Sequence, residues 1–151
     1  MSDQSADVSL VLEEFLPYQL SITSNALSDL IAGEYKSRFG LKIVEWRLMA
    51  VLGGLSSATQ RELVAATLMD KVTVNRGTKT LVDRGLLTRL PNAADGRSHH
   101  LALSDTGRDL YRQIVPATKA IEAKVMESFS GEELNMLSTL LKRIKMAVDT
   151  V

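Results

Sequence analysis

The chain has 151 residues, 45% of them apolar, and its 18 Lys and Arg balance 18 Asp and Glu. That describes one domain, or one domain with an appendage, large enough to bury a core and too apolar to be disordered. The absence of cysteine excludes disulfides, thiolate metal sites, cysteine nucleophiles and thiol redox sensing. No apolar run approaches the roughly 20 residues of a membrane span, and the acidic, polar start does not read as a secretory signal, so the expected location is cytoplasmic.

Residues 1–7 read as a frayed tail. Val8, Val11, Leu12 and Phe15 follow helical spacing, and Pro17 suits the first turn of a new or kinked helix. That helix is expected to run to about Phe39, with Leu20, Leu27, Leu30 and Ile31 inward and Gly40 ending it. A lone helix with so many apolar positions needs a partner to cover it. The spacing predicts a second helix over Leu41–Leu52, carrying Trp46 and Arg47 and closed by Gly53-Gly54. Thr59-Gln60-Arg61-Glu62 is a capping box that starts a short helix to about Thr67, with Leu63, Val64 and Leu68 expected inside.

Asp70 is a good N-cap, and Gly85 supplies the left-handed residue that stops a helix. Between them Val74, Gly77, Thr78 and Leu81 share one helical face, which packs inward. The opposite face carries Val72, Asn75, Arg76 and Lys79, flanked by Thr73 and Thr80. Two short extended segments follow, Leu86–Leu90 and Ser98–Leu103, joined by the turn-rich Pro91-Asn92-Ala93-Ala94-Asp95-Gly96. A short helix, a tight turn, a polar-faced helix and a basic hairpin make a helix-turn-helix with a wing.

Charge supports that reading. Across residues 70–100, six cations (Lys71, Arg76, Lys79, Arg84, Arg89, Arg97) face three acids, whereas residues 1–35 hold six acids and no Lys or Arg. The stripe also holds the residue types that read base edges and phosphates: Asn for adenine, Arg for guanine, Thr for either. One basic face with the acidic end turned away suits DNA despite zero net charge. Beyond the wing, Ser104 caps a helix to about Ser128 with a kink at Pro116. Ser130-Gly131-Glu132-Glu133 is a second capping box, opening a last helix of Leu134, Leu137, Leu140, Leu141, Ile144 and Val148.

These pieces together resemble the MarR family of winged helix-turn-helix transcription regulators over roughly residues 10–145. The resemblance rests on Glu45-Trp46-Arg47, Thr59-Gln60-Arg61-Glu62-Leu63, Asp70-Lys71, Thr73-Val74-Asn75-Arg76, Arg84-Gly85-Leu86, Asp95-Gly96-Arg97-Ser98 and Leu103-Ser104-Asp105-Thr106-Gly107, in that order. It implies a mainly α fold, a winged helix-turn-helix with a small β-hairpin wing, flanked by N- and C-terminal dimerisation helices. The implied division is 1–40 for dimerisation, 41–104 for DNA binding and 105–151 for dimerisation, within one compact chain.

By the same resemblance, Asn75 and Arg76 would reach base edges, with Lys71, Thr73 and Lys79 beside them on bases or phosphates. Thr59 and Gln60 would meet phosphate from a helix N-terminus, the alternative being capping alone. Arg97 would enter the minor groove at the wing tip, held by Asp95 and followed by Ser98; the alternative is a surface ion pair. The implied function is a sequence-specific regulator, a ligand-responsive repressor that binds a palindromic operator on double-stranded DNA as a homodimer and is released by a small-molecule effector. Tyr18, Tyr35, Trp46 and Met49 are large enough to line an effector pocket, although at helical spacing such residues more often form core.

Two features depart from the family pattern. Gly77 sits inside the recognition helix, where it either allows a close approach or softens the helix at about 1 kcal/mol. His99-His100 stand in the wing, where adjacent strand residues point to opposite faces and are poorly placed to chelate one metal together; exposed bystanders are the expectation, a pH-sensitive DNA contact the alternative. No Gly-rich phosphate loop, paired carboxylates or metal-ligand spacing points to an enzyme, a cofactor or a metal. The alternative reading is a winged-helix protein-interaction module without specific DNA binding.

Overall fold

The computed structural model describes residues 8–91, 96 and 98–151. Among these residues, six α-helices and three strands run α1 (Leu16–Phe39), α2 (Ile43–Gly54), β1 (Ala58–Thr59), α3 (Gln60–Thr67), α4 (Lys71–Asp83), β2 (Leu87–Pro91), β3 (His99–Leu103), α5 (Asp105–Val125) and α6 (Gly131–Val148). The strands form an antiparallel sheet in the order β1-β3-β2. Its register pairs Leu87 with Leu103, Pro91 with His99 and Ala58 with Leu101.

Local signals set most of these boundaries. Thr59, Asp70, Ser104 and Ser130 each accept a hydrogen bond from a first-turn N–H of the helix they open, satisfying donors that the helix leaves free. Gly40 and Gly85 take left-handed φ values of 63° and 73° behind α1 and α4, which a glycine does without a Cβ penalty. The core gathers Leu41, Leu48, Met49, Leu52, Leu63, Val74, Leu81, Leu101 and Ile114, all fully buried. Trp46 joins three helices through this core. Its ring centroid lies 5.7 Å from that of Tyr35 on α1 and 5.9 Å from that of Tyr111 on α5.

The structure departs from expectation where no local signal decides. The helical spacing from Val8 to Phe15 yields only a single 3-10 turn, Leu12–Glu14, with Pro17 in the first turn of α1. Leu41 lies ahead of α2 and is buried, whereas Gly53 and Gly54 form the last turn of α2 instead of closing it. Gly53 is needed inside the helix because a Cβ there would fall 2.2 Å from Cε2 of Tyr111. Leu68 is 75% exposed rather than buried; it takes φ 55° as the C-cap of α3, turning its side chain out as the chain swings toward α4. Leu30 is also exposed. The hairpin gains a third strand, β1, and α5 passes through Pro116 without a break to end at Val125.

Gly107, in the first turn of α5, packs closely on the backbone at Leu86, just ahead of β2. A Cβ there would lie 2.0 Å from the Leu86 carbonyl oxygen, a backbone atom that cannot swing aside. Gly107→Ala is expected to destabilise the fold by about 1–3 kcal/mol or more, read as a lower urea midpoint with the slope unchanged; an unmoved midpoint would refute the contact.

Candidate nucleic-acid interface

Helix α4 is two-faced. Val74, Gly77, Thr78 and Leu81 are buried, while Val72, Asn75, Arg76 and Lys79 are exposed. The buried face seats on α2, where Gly77 permits a close approach: a Cβ at 77 would lie 2.7 Å from Leu48 Cδ1 and 3.1 Å from Val44 Cγ1. The one polar side chain on this face, Thr78, is fully satisfied. It donates to the Asn75 carbonyl at 3.1 Å and accepts from Gln60 Nε2 at 2.6 Å, as a buried hydroxyl requires.

The start of α4 is held by Asp70. The Thr73 hydroxyl donates to Oδ2 at 2.6 Å and the Thr73 N–H to Oδ1 at 2.8 Å. Those bonds, the hydroxyl's foremost, hold the Asp70 carboxyl below its usual range. The same device opens α3. The Thr59 N–H donates to Glu62 Oε2 at 2.7 Å and the Thr59 hydroxyl at 3.1 Å, which lowers Glu62 likewise.

A cleft of about 710 Å³ runs between α3, the start of α4 and the wing. Arg61, Lys71 and Arg89 line it together with Ser98, His99 and the floor residue Leu101. The sequence alone points to Lys71 and Ser98 as site residues, but not to Arg61 and Arg89. A signal exists for Arg89, which stands among the counted cations. For Arg61 none does, because the approach of α3 to the wing depends on the β1–β3 pairing.

The remaining candidate residues are placed unevenly. Asn75 and Arg76 project from α4 without a side-chain partner among the described residues. Lys79 Nζ is already paired with Asp83 Oδ2 at 2.8 Å, one turn along and well exposed. The Gln60 amide is turned inward to Thr78, and its Oε1 is buried without a partner among the described residues. Asp95 and Arg97 lie outside the described residues. His99 is exposed, whereas His100 is not a bystander: it is half-buried, with Nδ1 hydrogen-bonded to Ser57 Oγ at 3.1 Å.

Arg84, counted with the basic segment, turns away from the stripe to the end of α1. Its Nη2 donates to the Phe39 carbonyl at 2.7 Å and Nη1 to that of Gly40 at 3.2 Å. Of the large side chains considered for an effector pocket, three are accounted for by packing: Tyr35 and Met49 are core and Trp46 is stacked, whereas Tyr18 is 37% exposed. Burial pushes the Tyr35 hydroxyl up from its usual range. Among the described residues no group of three His, Cys, Asp or Glu could hold a metal ion, and no helix is long and apolar enough to cross a membrane.

Residues 39–98, from the end of α1 through the wing, match the sequence profile of the MarR family. Over these residues the chain is similar to the MarR family. It is 28% identical over 112 residues to the HTH-type transcriptional regulator PecS of Dickeya dadantii, covering 72% of this chain and 68% of PecS. Among solved structures, a MarR/EmrR family transcriptional regulator from Acinetobacter superimposes with a TM-score of 0.85 at 24% identity, covering 94% of this chain and 100% of that one. Bordetella bronchiseptica BpsR, whose DNA binding is regulated by 6-hydroxynicotinic acid, gives 0.81 at 20% identity over 91% of this chain and 97% of its own. A mutant of Escherichia coli MarR, solved with operator DNA, gives 0.78 at 22% over 90% and 99%. The structural likenesses show that the chain has the fold of these proteins.

The two capping carboxyls titrate lower in the folded chain than in the unfolded one. Each therefore stabilises the fold fully above its ordinary value, 3.8 for Asp70 and 4.5 for Glu62. That contribution is lost as pH falls below those values and through the lowered native ones. Asp70→Ala should lower the thermal midpoint at neutral pH, with the gap from the parent narrowing as pH falls below 3.8. A gap that stayed constant down to about pH 2 would show that the carboxylate is not what caps α4.

Proposed function

We propose that the chain is a sequence-specific, DNA-binding repressor that acts as a homodimer on a palindromic operator and responds to a small-molecule effector. The observation that carries the reading is the exposed face of α4. It offers an amide, a guanidinium and an ammonium in line, with their backbone fixed from behind by the α2 contact. Asn75 suits adenine N6 and N7, and Arg76 suits guanine O6 and N7, each through paired hydrogen bonds in the major groove. Lys71, Arg61 and Arg89 form a basic cleft beside that face, suited to the phosphate backbone. Thr73 and Ser98 lie at its edges, Lys79 exchanges Asp83 for phosphate on binding, and Thr59 and Gln60 line the cleft at the start of α3. Asp95 and Arg97 belong to the wing tip in this reading.

Uncovered apolar surface supports the dimer. No residue of α6 is buried, and Leu137, Leu140, Leu141 and Met136 stay 42–59% exposed in the single chain. The three leucines flank an apolar groove of about 710 Å³ whose opposite wall is Leu16 and Leu20 of α1. Contiguous apolar surface of this kind marks an interface, and a second copy would pair like surfaces about a two-fold axis. Residues 1–40 and 105–151 then serve dimerisation and 41–104 DNA contact. Two recognition helices would address half-sites about one DNA turn apart. BpsR and operator-bound MarR, with the same fold, support the effector and the operator respectively.

Fluorescence anisotropy with DNA from upstream of the protein's own gene, at low and moderate salt, tests the reading. Binding that survives moderate salt is expected, and Arg76→Ala should cost roughly 1–3 kcal/mol and relax one base position. Lys79→Ala should weaken all sequences alike and reduce the salt slope by about 1. Weak binding, a steep slope and no Arg76 effect would leave the protein-interaction module instead. Removal of residues 131–151 should give a monomer by sedimentation; a persistent dimer would overturn the role given to α6.

A further inference from the structure

Three helix ends meet at one polar junction outside the interface just described. Arg84 is the C-cap of α4, fixed there by its own N–H to the Thr80 carbonyl at 3.0 Å and by the left-handed turn at Gly85. Its guanidinium crosses to the last carbonyls of α1, where the negative end of the helix dipole favours a cation. Nη1 also stands 3.7 Å from Glu45 Oε2, and the Glu45 side chain is only 7% exposed. Glu45 in turn accepts the Lys42 N–H at 3.0 Å and so starts α2.

Otherwise α1 packs on α5 and α2, and α4 packs on α2, α3 and β2. Among the described residues Arg84 is therefore the direct polar bridge from α1 to α4. A guanidinium suits this task because its planar fork meets two carbonyls and a carboxylate in fixed directions, which an ammonium cannot do. We propose that Arg84 is a positioning residue, which sets the angle of the recognition helix against the α1 arm and thereby the separation of the two recognition helices in the dimer. The proposal rests on the DNA-binding reading above for its consequence, though not for its geometry.

The leverage is large. A helix of 13 residues is about 20 Å long, so a tilt of about 10° at its C-terminal end moves its first turn by about 3 Å. Base-edge hydrogen bonds tolerate only tenths of an ångström. Loss of the bridge should accordingly blur half-site spacing while leaving contact with DNA phosphates untouched.

The test uses the full chain, whose lack of cysteine allows two labels at chosen sites. Lys36→Cys on α1 and Val72→Cys on α4, both exposed, carry spin labels in chains diluted with unlabelled protein, so that pulsed EPR reads the distance within one chain. Arg84→Met should broaden that distribution with helix content unchanged, and Arg84→Lys, the milder variant, should do so to a lesser degree. Without labels, an operator lengthened by one base pair between half-sites should lose about tenfold affinity with the parent protein and less than about threefold with Arg84→Met. Affinity for random DNA and its salt slope should stay the same.

An unchanged, narrow distance distribution in both variants overturns the proposal, as does an equal loss on specific and random DNA, which would place Arg84 on phosphate. A broadened distribution in a protein that binds no operator keeps the α1–α4 bridge and discards the DNA-binding reading. The two failures are thereby distinct.

Discussion

The crossing of α2 and α4 at Gly77 is the contact on which the remaining architecture depends. A hydrogen atom at position 77 lets Leu48 and Val44 approach the α4 backbone, and a glycine inside a helix costs about 1 kcal/mol of propensity against alanine. What that cost secures is depth. With α4 seated on α2, Val74 and Leu81 reach full burial, and the opposite face is held outward as a rigid stripe rather than a rocking one. Thr78 extends the same constraint to α3, since its hydroxyl is the acceptor for the Gln60 amide. The helix-turn-helix angle is thus fixed by one close approach and one buried polar pair. Of the two roles that the sequence leaves open for Gly77, the close approach is the one realised.

Much of this was legible because the deciding signals are local. The faces of α4 follow from period alone, and its ends from Asp70 and Gly85; the same is true of the capped starts of α3, α5 and α6. The exceptions share a physical cause. Strand β1 is two residues long and exists because Ala58 and Thr59 find Leu101 and His100 across the fold. The outward turn of Leu68, the inward turn of Gln60 and the crossing of Arg84 to α1 are likewise settled by partners far off in sequence. In the candidate site, stripe residues could be read from spacing, but the cleft of Arg61, Lys71 and Arg89 could not, since three separate elements build it.

The balanced charge of the chain conceals an uneven distribution. Among the described residues, acids near the basic face are occupied: Glu62 and Asp70 cap helices, Glu45 is buried beside Arg84, and Asp83 sits one turn from Lys79. The exposed Lys79–Asp83 pair stabilises little by itself, so giving it up to a phosphate would cost little. Helix starts on this side of the molecule need carboxylates for capping, and the capping bonds keep those carboxylates local. Among the described residues, the outward field is left chiefly to Arg61, Lys71, Arg76 and Arg89. A net charge near zero therefore limits long-range, sequence-independent attraction without neutralising the surface itself.

The apolar surface is distributed as unevenly as the charge. The lobe around Trp46 closes on itself, but α6 buries no residue within its own chain, and the segment before α1 leaves Leu10, Val11, Leu12 and Phe15 42–63% exposed. A helix of 18 residues, none of them buried, draws little stability from propensity alone. Its capping box at Ser130 and Glu133 fixes where it starts, not why it persists. In the proposed dimer the missing cover comes from the second chain, and the arms become rigid only on association. A recognition helix bridged to such an arm by Arg84 would then take its orientation from the interface, so that binding at the arms and binding at the DNA are two readings of one angle.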